Sequence, residues 1–478
     1  MSAQDFFMLS PLLILAGSPV LILLLIALRL NHRSIQLTSL FLFTLAFVYL
    51  VIIQKTLPYT IAPLIIIDGF SVFIMGLIIF ASIVVNILSY VYFEEKEESP
   101  KEYYVLLFVC SLGACVLAVS QHFVSLFLGL EILTIGLYAL IAYLRTRHLS
   151  IEAGIKYLIL AAFSSAFLLF GMALIYLQTG SMEFSAIAKS FASAQTLPPL
   201  FLTGLGMMLV GLGFKLAVVP FHTWTADVYQ GAPAPVTAFI ATASKGAVFA
   251  VLLRFFLVFN GFRFNILVVI LIFIAIASML IGNLLALQQK NVKRILAYSS
   301  IAHLGYLLVA FIPGSQLSIE AVSFYLLAYF ITTLTAFGII TLLSDKESDA
   351  EDIDSYTALF WRHPVLACIF TAALLSLAGI PLTAGFIGKF YILAAGLQGG
   401  YWIAALVLVI SSVIGLYYYL RIITTMFSGY KGISISVKKA FPVFYLLSSI
   451  TLSILTLLIV WFGIYPAIMM RMIEHYLR

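Results

Sequence analysis

The amino-acid sequence predicts an all-α polytopic membrane protein with about fourteen transmembrane helices. Three observations carry that prediction. Of 478 residues, 63% are hydrophobic and only 9% charged, where a soluble domain carries roughly 25% charged residues. Apolar runs of about 20 residues, each long enough to cross ~30 Å of hydrocarbon, recur from end to end. Two runs are too long for one straight crossing and hold a proline inside, Pro220 and Pro381. Proline removes a backbone donor and frees the carbonyl four residues earlier, so both helices break. Paired breaks at corresponding places in two halves point to an inverted repeat with broken helices 7 and 12.

The spans fall near 11–30, 35–54, 68–92, 103–120, 122–144, 154–178, 200–229, 233–257, 265–287, 295–312, 319–343, 364–396, 401–426 and 441–465. The first run has no basic leader and no small-residue cleavage site, so it reads as a retained span. The longest polar connections lie near 92–102, 179–199, 344–363 and 427–440. None has room for a catalytic domain on the water side. Cys110, Cys115 and Cys368 stand in apolar runs without metal-binding or C-x-x-C spacing, as small core residues do. The net charge of +6 belongs to the loops and says nothing about nucleic acid.

Basic residues orient the chain. Arg29, Arg33, Lys96, Lys101, Arg145, Arg147, Lys290, Lys293, Arg294, Lys346, Arg362, Arg421, Lys431, Lys438 and Lys439 fall on one side, and Lys55, Lys189, Arg254, Arg263, Arg471 and Arg478 on the other. The positive-inside rule makes the richer side cytoplasmic, so both termini face outward.

Four lysines fit neither side: Lys156, Lys215, Lys245 and Lys389. Among the 19 acids only Glu131 sits deep in a run, ~15 Å from either end. A charge at the bilayer centre costs roughly 2.5–3.5 kcal/mol on the lenient insertion scale. Together these groups form the intramembrane titratable set expected of an ion or proton pathway. Each also has a plainer reading. Lys156 stands near enough to the end of its span to snorkel. Lys215, in "GFKLAVVPFHTW", can pair with the Leu216 carbonyl freed by Pro220. Lys245 lies among Ala241, Thr242, Ala243, Ser244 and Gly246, which suit close helix packing. Lys389 follows the second break, and Glu131 can neutralise a lysine for stability alone.

His303, in "AYSSIAHLGYLL", shares a helix face with Ser299, Ser300 and Tyr306. A structural histidine and a proton carrier fit it equally. His222 follows Pro220 at the break. His32, His122, His148, His363 and His475 lie near ends or loops and read as solvated or interfacial. The acidic run "DKESDAEDID" at 345–354 reads as a solvated loop, with docking to a neighbouring subunit as the sharper alternative. Burial favours neutral forms and a nearby opposite charge favours charged ones. A buried lysine can therefore change state as its partner does.

The blocks "GFKLAVVPFHTWTADVYQGAPAPVTAFIATASKGAVFAVLLR", "KNVKRILAYSSIAHLGYLLVA" and "LAGIPLTAGFIGKFYIL" resemble the antiporter-like subunits of bacterial respiratory complex I (NADH:quinone oxidoreductase). These belong to a superfamily shared with Mrp-type antiporter subunits. Within it the chain most resembles the N-type, or subunit 2, branch, and the resemblance covers essentially the whole sequence. It implies flanking helices 1–3 over 1–102, a first half with helices 4–8 over 103–257, an inverted second half with helices 9–13 over 258–426, and helix 14 over 427–478. It also implies that proton translocation runs through Glu131, Lys215, Lys245, Lys389 and His303, with Lys156 at the start of span 6 and a Glu131–Lys215 pair as the gate.

No nucleotide, flavin, iron–sulfur, quinone or metal motif occurs in the sequence. The resemblance places NAD, FMN, iron–sulfur clusters and quinone in partner subunits, with neighbouring antiporter-like and small helical subunits as partners in the bacterial inner membrane, and the bilayer around them. A subunit of a multisubunit Na⁺/H⁺ antiporter or of a membrane-bound hydrogenase is the alternative. A free-standing substrate transporter would need more Asn, Gln and Arg in the spans. A cytochrome subunit would need paired deep histidines.

Overall fold

A computed structural model describes residues 2–96, 100–346, 348–429 and 442–477. Lys431, Lys438, Lys439, Arg478 and most of the 427–440 connection lie outside the described residues. In chain order the helices are α1 (Ala3–Met8), α2 (Ser10–Ala27), α3 (His32–Ile53), α4 (Gly69–Lys96), α5 (Glu102–Val119), α6 (Phe123–Ile141), α7 (His148–Thr179), α8 (Phe184–Ser190), α9 (Pro199–Leu216), α10 (Thr225–Gly231), α11 (Ala234–Phe239), α12 (Lys245–Phe259), α13 (Asn265–Leu287), α14 (Val292–Phe311), α15 (Gln316–Leu343), α16 (Leu359–Arg362), α17 (Pro364–Ala378), α18 (Ala384–Gln398), α19 (Trp402–Phe427), α20 (Pro442–Ile464) and α21 (Pro466–Leu477). Between α3 and α4 the chain makes a two-stranded antiparallel hairpin, β1 (Tyr59–Ile61) and β2 (Ile65–Ile67), with Thr60 opposite Ile66.

Among the described residues, thirteen helical stretches are long and apolar enough to cross a membrane. The half-helices α17 and α18 complete the fourteenth crossing. The protein is a multi-pass, all-α membrane protein. Polar side chains set several starts: Asn31 Oδ1 accepts from the Ser34 N–H at α3, and Asn291 Oδ1 from the Arg294 N–H at α14. α7 ends at Gly180 in the left-handed region (φ 68°), where glycine carries no Cβ penalty.

The core is found by asking which helices are buried all round. The most apolar stretches of α11–α12 and α15 are 100% buried, against 28% for α2. Lipid covers an apolar face as well as protein does, so burial rather than hydropathy marks the centre: α13 is more apolar than α15 and only 39% buried. α15 supplies that centre, packing on α4, α11, α14, α17, α18 and α20. Close crossings depend on glycine: a Cβ on Gly171 of α7 would meet Gly204 O of α9 at 2.5 Å, and one on Gly204 would meet Gly171 O at 2.8 Å.

Several placements differ from the sequence expectations. His32 is not solvated; it is buried, stacked on Tyr90, and bonded to Tyr104 at 2.8 Å and to Glu94. Lying at the start of α3, it is covered by the end of α4. Cys368 is exposed whereas Cys110 and Cys115 are buried, because α17 turns that residue outward. The 345–354 connection is not simply a solvated loop. It folds back on the α13–α14 turn through Val292 N–H to Glu351 O (2.5 Å) and Ile353 N–H to Lys290 O (3.1 Å), and Asp349 is buried. Lys293, counted from sequence with the loop cations, is fully buried beneath it.

Candidate functional site: a line of buried lysines

The first break runs from Ala217 to Trp224, between α9 and α10. Ala217 takes a left-handed conformation (φ 61°). Irregular backbone at this depth needs internal partners, and it has them. Val218 N–H reaches Gly213 O at 3.0 Å, Val219 N–H reaches the Ser278 hydroxyl at 2.9 Å, and Trp224 Nε1–H caps Phe214 O at 2.9 Å. Lys215, in the last turn before the break, is 6% exposed. Its ammonium donates to Thr134 Oγ1 at 2.8 Å and lies 5.6 Å from the Tyr157 ring centre. Leu216 O is not its acceptor. Glu131, one turn before Thr134 on α6, accepts from the Ser165 hydroxyl of α7 at 2.5 Å.

The eighth span is interrupted too, by a feature the sequence reading missed. A π-helical turn over Ile240–Ser244 joins α11 to α12, and Lys245 is the first residue after it. Single π turns inside α-helices recur at functional sites. The Lys245 ammonium donates to Ser300 Oγ of α14 at 2.8 Å and faces the Tyr229 ring at 5.2 Å. Three residues beyond Ser300, His303 is 3% exposed and bonded through Nδ1 to Tyr325 OH at 2.5 Å and through Nε2 to Tyr419 OH at 3.3 Å.

The second break, Gly379 to Thr383, separates α17 from α18. Lys389 on α18 reaches back across it and donates to Leu377 O at 2.9 Å and Ala378 O at 2.8 Å. It thus caps the carbonyl end of α17, where the helix dipole favours a cation. Its ammonium also lies 5.1 Å from the Tyr306 ring. Tyr306 OH joins Asn283 (3.1 Å) and Ser411 (3.0 Å) in a polar cluster.

Lys156 is placed differently. Its side chain is 43% exposed and paired with Glu152 at 2.6 Å and Asp227 at 2.9 Å. Asp227, on α10, also takes Arg294 at 2.8 Å.

The arrangement separates two kinds of charge. At Asp349, one carboxylate takes Lys96 (2.9 Å), Arg147 (3.1 Å) and Lys293 (2.9 Å) together with the Tyr92 hydroxyl (2.7 Å). Burial opposes that charge, yet the lysines beside it hold its carboxyl well below the carboxylate range. Those cations are bound directly to a carboxylate. Lys215, Lys245 and Lys389 instead rest on neutral hydroxyls or carbonyls, with no carboxylate among the described residues bonded to the ammonium. A lysine held this way can release a proton without abandoning a fixed counter-charge. Among the described residues, no group of three or more His, Cys, Asp and Glu side chains is placed to hold a metal ion.

Residues 120–415 match the family described as NADH:quinone oxidoreductase/Mrp antiporter, TM. The chain belongs to this family. A chain of respiratory complex I from Thermus thermophilus with bound aureothin is 32% identical, covering 96% of this sequence and 98% of its own, with a TM-score of 0.82. A chain of the membrane-bound sulfane sulfur reductase, an archaeal respiratory membrane complex, is 26% identical over 98% and 96%, at 0.84. A chain of the Mrp complex from Dietzia sp. DQ12-45-1b shares the fold at 20% identity over 99% and 97%, at 0.85. As a NADH:quinone oxidoreductase/Mrp antiporter family member, the chain is a membrane protein similar to chains of multisubunit respiratory complexes.

Thr134, Ser165, Tyr229, Ser300, Tyr325 and Tyr419 complete the site, and sequence reasoning missed all but Ser300. Nothing in a span marks one serine, threonine or tyrosine as a lysine's or histidine's partner before the helices are packed.

Proposed function

We propose that this chain is the N-type proton-translocating subunit of a bacterial NADH:quinone oxidoreductase. It moves protons through Glu131, Lys215, Lys245, His303 and Lys389, with Lys156 at the aqueous end of α7. One observation carries this reading: three buried ammoniums, at two broken helices and a π turn, each rest on neutral acceptors. Each lysine can then exist with or without its proton. Movement of Glu131 toward Lys215 would favour the charged lysine, and withdrawal would favour its neutral form. Ser300 and His303 on one face of α14 link Lys245 toward Lys389.

On this proposal residues 103–257 and 258–426 are inverted halves, each with one broken helix, flanked by 1–102 and 427–478. The termini face the periplasm and the bilayer is the inner membrane. NAD, FMN, iron–sulfur clusters and quinone sit in partner subunits, and this chain contacts the neighbouring membrane-arm subunits. Similarity to the sulfane sulfur reductase chain supports a second reading, a proton- or Na⁺-translocating subunit of another multisubunit membrane complex.

The test is NADH:quinone reductase activity and proton uptake in vesicles carrying Lys215→Ala, at matched subunit levels. Parallel loss of both supports the proposal. Normal NADH oxidation and pumping with loss of Na⁺/H⁺ exchange would move the chain to the antiporter branch.

A further inference from the structure

The Asp349 cluster lies outside the lysine line, yet it is tied to it. Its Lys293 ammonium has two further acceptors, Gln230 O at 2.9 Å and Ala232 O at 2.6 Å. The intervening Gly231 O takes the Ser150 hydroxyl at 2.7 Å. All three consecutive carbonyls where α10 passes into α11 are therefore held by side chains. Tyr229 is the residue just before them. Its ring faces the Lys245 ammonium, and its hydroxyl lies 3.5 Å from Ser300 Oγ, the acceptor for Lys245. Lys293 and Ser300 also share α14, seven residues apart on one face and ~10.5 Å along the axis.

We propose that Asp349 is a positioning residue for Lys245. It fixes Lys293 on the Gln230–Ala232 carbonyls, and that fixes the Tyr229 ring and the Ser300 hydroxyl around the lysine. The proposal rests on Lys245 carrying protons. Its physical basis is that three cations share one carboxylate whose side chain is only 5% exposed. Remove that charge and Lys96, Arg147 and Lys293 repel one another at close range without a counter-ion. Lys293 is the fully buried member, its side chain 0% exposed, and its withdrawal frees the carbonyls beside Tyr229.

The experiment uses membranes carrying the whole complex, with quinone reductase rate and proton uptake normalised to assembled complex on native gels. Asp349→Asn is expected to lower both at least threefold, and Asp349→Glu to recover more than half. Tyr229→Phe, which keeps the ring and drops the hydroxyl, is expected to lower both as well. Lys245→Ala is run alongside. A normal rate in Asp349→Asn where Lys245→Ala has lost it overturns the proposal and leaves the proton-carrier reading standing. A normal rate in Lys245→Ala overturns that reading and the proposal with it. If Asp349→Asn does not assemble, Tyr229→Phe decides: an unchanged rate overturns the proposal and a lowered one supports it.

Discussion

The Lys215 ammonium stops on the Thr134 hydroxyl at 2.8 Å, while Glu131, one turn earlier on the same helix, is held by Ser165. Glu131 and Lys215 thus each rest on a hydroxyl partner of their own. Two neutral groups hold apart what a direct ion pair would lock.

Thr134 is therefore expected to matter beyond its size. A hydrogen bond to a charged group contributes about 1.5–3 kcal/mol. Thr134→Val keeps the shape and removes the acceptor, so turnover per assembled complex is expected to fall roughly tenfold, with Thr134→Ser close to normal. Equal rates for Val and Ser would show that the hydroxyl plays no part.

Much of this was legible in the sequence, for physical reasons. The bilayer demands long apolar runs, so the spans and the four unplaced lysines stand out. Prolines mark both breaks because they cannot continue the backbone ladder. The partners did not stand out. Thr134 and Lys215 are 81 residues apart, and no local periodicity joins them. The π turn before Lys245 contains no proline. Asp349 lies in an acid-rich string and Lys293 in a basic one, each indistinguishable from its neighbours until the loop folds over α14. The hairpin at 59–67 alternates too briefly to signal strands.

Ser300 is to Lys245 what Thr134 is to Lys215. Ser300 is buried, and its own hydroxyl donates to Ala297 O at 2.7 Å, leaving its lone pairs for the ammonium. Ser300→Ala is expected to lower proton uptake several-fold at normal chain level, measured by vesicle acidification. Uptake at the parental rate would remove Ser300 from the path.

Lys389 combines two jobs that substitution separates. Leu377 O and Ala378 O need a donor at the break, and the proposed path needs a titratable proton. Lys389→Gln supplies N–H donors without that proton, so assembled complex with uptake reduced at least tenfold is expected. Lys389→Met supplies neither, and leaves orphaned carbonyls at about 1–3 kcal/mol each, so its assembly on native gels is expected to fall below that of Lys389→Gln. Equal assembly would show that the cap is unimportant. Gly379→Ala is expected to resemble Lys389→Met, because its Cβ would meet Lys389 Cδ at 2.8 Å from a backbone at φ 83°.

The last prediction concerns alkaline stability. Burial lowers the Lys96 ammonium to about 8, with Asp349 opposing the shift and Arg147 adding to it. In the unfolded chain the same group titrates near 10.4. Between about pH 8 and 10.4 the unfolded state therefore binds more protons than the folded one. Folded stability must rise with pH across that window through this residue, and below pH 8 its contribution is flat and unfavourable. Lys96→Met removes the buried cation while Arg147 and Lys293 still neutralise Asp349. The parent complex is expected to gain a few degrees of thermal midpoint between pH 7 and 9.5 relative to the variant, read by loss of native-gel assembly after heating. Identical pH curves for the two would mean that Lys96 keeps its ordinary titration in the folded protein.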